Sequence, residues 1–352
     1  MNRLQVIKDH IDSCLPITDI DFSGLFFDQQ SLVGGVFLNC QFVDCRFEQC
    51  DLNQSVFTDC DFAQADIRGC TLHQTSFIQC NFKQAKWQSD GDMTTLCDCD
   101  FSGCCWQDVS LKSSNLCQCD FSAVRFINCQ WHTVIMMQIN TDQAAFVNCD
   151  FFNITWIETD FKAVELQQCQ FVQALLLKCD FSGQDLSAIT LKHCTCNESV
   201  FTDTKLVGAD LAASSFSQCV LTGVDFSGAL LAQALFIDSK IDQCVFDKAD
   251  LTSANFQAAQ INDSSFAGCG LSMSWMKDLR ASKVDYSATD LSYANLSYAW
   301  LEDCSFARCT LLRTIVHAVE EQGCRWRGAN KAQLLTTNKD QQKIDKKLAS
   351  YF

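Results

Sequence analysis

The sequence predicts an all-β solenoid, and three observations carry that prediction. A large apolar residue returns every five positions along most of the chain, and the residue two places before it is small. The usual punctuation of loops is missing, with one proline and fourteen glycines in 352 residues. A period of five fits neither the 3.6-residue turn of a helix nor the two-residue alternation of a strand. It fits a chain that turns a corner every five residues, two side chains inward and three outward, and a repeat of this kind decides the fold before any local signal does.

The frame opens at Phe22 and runs through Phe27, Leu32, Phe37, Phe42, Phe47, Leu52, Phe57, Phe62, Ile67, Leu72, Phe77 and Phe82 to Trp87. Nine residues then separate Trp87 from Leu96, where the period resumes and continues to Trp326. Thr141 and Glu321 are its clearly polar members. The small position reads Cys40, Cys45, Cys50, Ser55, Cys60, Ala65 and Cys70, and later Ala209, Ser214 and Cys219. The other three positions are mostly Asp, Gln, Asn, Ser or Lys.

Segments such as CDFSG, ADLTS, CNFKQ and ADLAA follow the pattern small residue, Asp or Asn, Leu or Phe, then two variable residues. In this the chain resembles the pentapeptide-repeat family over residues 20–327. The resemblance implies a right-handed quadrilateral β-helix of about fifteen twenty-residue coils. Residues 1–19 and 328–352 are then an N-terminal and a C-terminal helical cap, since open solenoid ends expose core and unpaired strand edges. Within them, Leu4, Ile7 and Ile11 at helical spacing mark a helix over 2–13, which Pro16 terminates. Residues 331–350 read as a second helix, with Leu334, Leu335, Ile344 and Leu348 to pack on the last coil. Residues 88–95, at the frame break, are expected to bulge as a loop.

Composition narrows the function. At 48% hydrophobic with 28 phenylalanines the chain is too apolar for disorder. No stretch approaches the roughly 18 consecutive apolar residues of a membrane helix, so no membrane insertion is expected. The N-terminal residues lack the apolar core of a secretory signal. A net charge of −16 disfavours direct nucleic-acid binding, which needs clustered Lys and Arg. All but five of the 25 cysteines occupy the small inward position, the exceptions being Cys14, Cys97, Cys105, Cys117 and Cys196. There they act as small hydrophobes. The pairs Cys97/Cys99 and Cys117/Cys119 split between outside and inside, and Cys194/Cys196 both face the core, so none reads as a metal site. So many free thiols suit a reducing compartment and a cytoplasmic location, with secretion as an effector left open. The histidines (His10, His73, His132, His193, His317) are scattered and no catalytic motif accompanies them. No catalysis, cofactor or metal is expected.

Function is therefore sought on the surface, where residues twenty apart share a column. Cys97, Cys117, Met137, Ile157 and Leu177 form one such column, with Ile135 and Leu175 on the other side of the frame residue. This predicts an apolar stripe of the sort that marks an interaction site. Met273, Trp275, Tyr293, Tyr298 and Trp300 occupy outward slots nearer the C-terminus, and aromatic side chains are favoured interface anchors. Asp100, Asp120, Asp160 and Asp180 form an acidic column interrupted by Asn140.

These columns lead to two readings. The first is a non-catalytic protein-binding scaffold or adaptor. The family resemblance extends it to accessory proteins of bacterial secretion systems and their cargo. The second, implied by resemblance to the quinolone-resistance branch, is a DNA mimic that binds a type II topoisomerase such as DNA gyrase and modulates or protects it. The resemblance also implies a homodimer through the C-terminal end.

Overall fold

A computed structural model describes residues 3–187 and 189–349. The chain divides into two compact units, 1–175 and 176–352. Each is a parallel β-solenoid. Helix α1 (Arg3–Asp12) lies at the start of the first unit and helix α2 (Lys339–Ala349) near the end of the second.

Each five-residue repeat makes one side of a coil. The frame residue and the small residue point inward, as Phe42 and Cys45 do at 0% and 1% exposure. The corner is closed by a hydrogen bond from the small residue's N–H to the frame carbonyl three residues back, as from Cys45 to Phe42 at 3.1 Å. The second residue after the frame takes a left-handed conformation, with φ near 50–60° at Asn39, Asp59, Gln79, Asp98 and Gln118. Asn and Asp tolerate that conformation best, which suits Asn39, Asp59 and Asp98, while the Gln side chains at this position, such as Gln79 and Gln118, are exposed.

Stacking coils bring like residues together. Phe42, Phe62, Phe82 and Phe101 form a column with centroids 4.7–4.8 Å apart. In the second unit Phe226, Phe246 and Phe266 stack at 4.6 and 4.4 Å. Stacked aromatic pairs contribute roughly 0.5–1.5 kcal/mol each beyond the area they bury. The small position has a polar task as well. Cys45 Sγ donates to the carbonyl of Phe22 at 3.1 Å, Thr75 Oγ1 to that of Leu52 at 2.8 Å, and Ser199 Oγ to that of Leu176 at 3.1 Å. Cys, Ser and Thr therefore share this slot because each is small and each can donate inward to the preceding coil.

Strand ladders of the first unit step by twenty residues except at one place. Phe57 pairs with Phe77, but Phe77 pairs with Leu96, nineteen residues on. The expected loop at 88–95 is absent here: Lys86–Asp92 is one seven-residue strand. Two repeats need ten residues and the chain supplies nine, so a residue has been lost and nothing is left to bulge. Gly91 takes the frame slot, pairing with Leu111. The strand carries on round the corner, where Ser89 Oγ accepts the Cys70 N–H at 3.0 Å and the Ser89 carbonyl accepts Trp87 Nε1–H at 2.9 Å. Thr141, the polar frame residue of this unit, is buried and donates its hydroxyl to the Asp160 carbonyl at 3.0 Å.

In the second unit one ladder runs from Val200–Thr202 to Glu320–Gln322, and the other sides are held by single bridges. The C-terminal segment differs from the expected helix over 331–350. A 3-10 turn at Lys331–Gln333 is followed by extended chain in which Leu335 bridges to Ile315. The helix starts after Asn338, whose side chain accepts the N–H groups of Asp340 and Gln341 at 3.0 and 3.2 Å. An Asn cap with Thr336 and Thr337 before it favours this late start. Leu334 is half-buried, Leu335 and Ile344 are exposed, and the Leu348 side chain lies outside the described residues. Glu321 is exposed and accepts the Trp326 Nε1–H at 2.8 Å.

Candidate functional site

The apolar column of the first unit is longer than counting by twenty reveals. Because one coil has nineteen residues, Ile78 pairs with Cys97, and Thr58 and Leu38 precede it. The column after the frame thus reads Leu38, Thr58, Ile78, Cys97, Cys117, Met137, Ile157. The column before it reads Val36, Val56, Ser76, Thr95, Asn115, Ile135, Thr155. Across seven coils this strand face presents no charged side chain. Ile135 and Met137 are each 42% exposed, while Cys97, Cys117, Ile157 and Leu175 are half-buried. Leu177 and Asp180 belong to the second unit; Leu177 is a half-buried outward residue there. Leu38 and Ile78 are the members that the sequence reading missed. The signal was present, since shifting the count by one at the nine-residue spacing recovers both.

The two long borders of this face differ. One corner column carries Asn39, Asp59, Gln79, Asp98, Gln118, Gln138 and Glu158, all exposed. Past that corner comes the acidic column, Asp61, Asn81, Asp100, Asp120, Asn140 and Asp160. The opposite corner column is Gly34, Gln54, Gln74, Met93, Ser113, Thr133 and Asn153, without a charge. Burial and the neighbouring Asp98 carboxylate push the Cys97 thiol up to about 11, so it is protonated at neutral pH.

The acidic column is partly structural. Asp100 Oδ1 accepts the Ser102 N–H at 3.0 Å, Asp120 that of Ser122 at 2.9 Å, Asp160 that of Lys162 at 2.9 Å, and Asp180 that of Ser182 at 3.0 Å. Lys83 and Lys162 pair with Asp100 and Asp160 at 3.0 and 3.1 Å. Burial raises the Asp100 pKa, but hydrogen bonds from Ser102 and Lys83 outweigh it and hold the carboxyl below its ordinary value.

The aromatic cluster does not form one patch. Met273, Tyr293 and Trp275 flank one corner of the second unit, exposed by 57%, 50% and 43%. Tyr298 and Trp300 flank the next corner. Tyr298 is committed to the chain's own C-terminal helix: its hydroxyl donates to Asp345 Oδ2, and its ring meets His317 edge-on at 5.3 Å. Asp345 in turn lies 3.3 Å from His317 Nε2. Among the described residues no group of three or more His, Cys, Asp or Glu is placed to hold a metal ion, and no helix is long and apolar enough to cross a membrane.

Sequence profiles place these features in a family. The profile of pentapeptide repeats matches residues 45–84 and 96–129, and that of the pentapeptide repeat region matches 171–244 and 239–314. The chain belongs to the pentapeptide-repeat family. No curated protein sequence matches it. Among solved structures it is similar to HetL, a pentapeptide-repeat protein involved in heterocyst differentiation regulation in the cyanobacterium Nostoc sp. strain PCC 7120. That likeness has 13% identity, covers 96% of this chain and 98% of the other, and has a TM-score of 0.23. It is also similar to QnrB1, a plasmid-mediated fluoroquinolone resistance protein, at 15% identity over 80% and 91% of the two chains with a TM-score of 0.18. A pentapeptide-repeat protein of the Arabidopsis thaliana thylakoid lumen matches at 20% identity over 36% and 72%, with a TM-score of 0.13.

Proposed function

We propose that this pentapeptide-repeat protein is a non-catalytic protein-binding scaffold or adaptor, and that the uncharged strand face of its first unit is the docking surface. One observation carries the reading: seven consecutive coils offer no charge on that face, in a chain whose net charge is −16. Exposed apolar side chains on such an uncharged face, here Val36, Ile135 and Met137, mark interaction sites. The DNA-mimic reading has less support. Asn81 and Asn140 interrupt the carboxylate column, Lys83 and Lys162 pair with two of its members, and one oxygen of each is held by its own corner.

The test is capture from native lysate by wild-type protein and by Met137→Asp/Ile157→Asp, at low and high salt. A partner kept by wild type in high salt and lost by the variant supports the adaptor. A topoisomerase shed by salt and held equally by both proteins would overturn it in favour of DNA mimicry.

Self-association through the C-terminal end is a second proposal, favoured by one observation. Among the described residues Glu320–Gln322 has a ladder partner on one side only, beside half-buried Val316 and Trp326 and exposed Leu335. Sedimentation of wild type and Leu335→Glu tests it: a dimer that the variant dissolves supports it, and a monomeric wild type contradicts it.

A further inference from the structure

We propose that the occupant of this face is an amphipathic helix of about twenty residues whose apolar row is bordered on one side by Lys and Arg. The assignment rests on the docking reading above and adds the chemistry of the partner.

The length follows from the strand ladder. Six steps from Leu38 to Ile157 at about 4.8 Å span about 29 Å, the length of about nineteen helical residues. The width follows from the strands, whose two outward ranks sit about 6.6 Å apart and leave room for one row of apolar side chains. A strand is the wrong occupant, because β-augmentation needs a free backbone edge. Backbone N–H groups here are already spent within the ladder, as from Ile135 to the Ser114 carbonyl at 3.0 Å and from Thr155 to that of Val134 at 2.9 Å.

The borders give the polarity. Asp59, Asp98 and Glu158 line one edge, with Asp61 and Asp120 behind them, whereas the opposite corner column is neutral. A helix with a basic flank on one side meets the carboxylates in a single orientation. One with an acidic flank meets repulsion there. The acidic border also opposes docking on an anionic lipid surface. A second copy docked through the same face would bring acidic and neutral borders but no basic one. The face is small by the standard of stable interfaces, so complementary charge at its border weighs heavily in partner choice.

The test uses two synthetic twenty-residue helical peptides sharing one leucine row, one with a lysine flank and the other with a glutamate flank. Each is titrated by fluorescence anisotropy against the full chain. The lysine peptide is expected to bind and the glutamate peptide to bind at least tenfold more weakly. Asp59→Asn/Asp98→Asn/Asp120→Asn should weaken the lysine peptide about fivefold to tenfold, as several border charges together do. Asn81 and Asn140 already hold the same corners by their side-chain oxygens, at 3.0 Å from Lys83 N and 3.1 Å from Asp142 N, so the Asp120→Asn corner should persist. Asp210→Asn/Asp250→Asn/Asp290→Asn, in the second unit, should change nothing. Equal loss in both triple variants, equal binding of both peptides or no binding would overturn the assignment. If Met137→Asp/Ile157→Asp abolishes binding while the border variant does not, this inference fails and the docking face stands. If Met137→Asp/Ile157→Asp binds as wild type, the docking face itself fails. Self-association of wild type that Met137→Asp/Ile157→Asp dissolves would make a second copy the occupant and overturn it too.

Discussion

Ile78 and Cys97 are register partners on adjacent parallel strands although nineteen residues, not twenty, separate them. That single missing residue decides how the surface is composed. It carries the column of Cys97, Cys117, Met137 and Ile157 back to Ile78 and Leu38, and turns a short stripe into a seven-coil uncharged face.

The shortened corner depends on Gly91. A Cβ there would lie 2.6 Å from Thr94 Oγ1 and 2.8 Å from Leu111 Cδ2. Gly91→Ala should destabilise the first unit by about 1–3 kcal/mol, as overpacking does. Urea unfolding measures it, and an unchanged midpoint would contradict this account of the corner.

The period of five was legible because the inward slots tolerate few residue types, and the fold follows from it. The departures were not legible for physical reasons. Loss of one residue reads in sequence as a polar gap between Trp87 and Leu96, whereas in space the strand runs on through Ser89. The C-terminal segment has helix-forming residues on both sides of Thr336–Asn338, yet Leu335 bridges to Ile315 and the helix starts only at Lys339. Of the candidate site, Ile135, Met137 and Ile157 could be read from spacing. Tyr298 could not be separated from Trp300 and Tyr293, because its partner Asp345 lies 47 residues away.

The Tyr298–Asp345 contact should hold the C-terminal helix. Asp345 pushes the Tyr298 hydroxyl up to about 12, so the donor keeps its proton across the physiological range. Tyr298→Phe should speed amide exchange in residues 339–349 at least several-fold while leaving the thermal midpoint nearly unchanged, since local opening is separable from global unfolding. Exchange that does not change would show that the helix is held elsewhere.

Buried thiols make stability fall in alkali. Burial raises Cys45 and Cys309 to about 11, and Cys104, Cys219, Cys244 and Cys269 to about 12, from an ordinary 9.0. Folded-state values above the unfolded value favour the native state fully below pH 9, and the advantage is lost as pH rises toward 11–12. Each thiol should remove up to about 1.4 kcal/mol per pH unit in that window. Urea midpoints should be nearly equal at pH 7 and 8 and then drop steeply by pH 10.5; a flat series through pH 10.5 would contradict burial of these thiols.

The central claim is that a protein partner docks on the uncharged face of the first unit, and crosslinking from within that face tests it most directly. A photo-crosslinking residue would replace Met137, or Val220 as a control on the strand face of the second unit, which is 40% exposed. The account predicts a discrete protein adduct from position 137 in intact cells and none from 220. The same adducts from both positions, or none from 137, would contradict it.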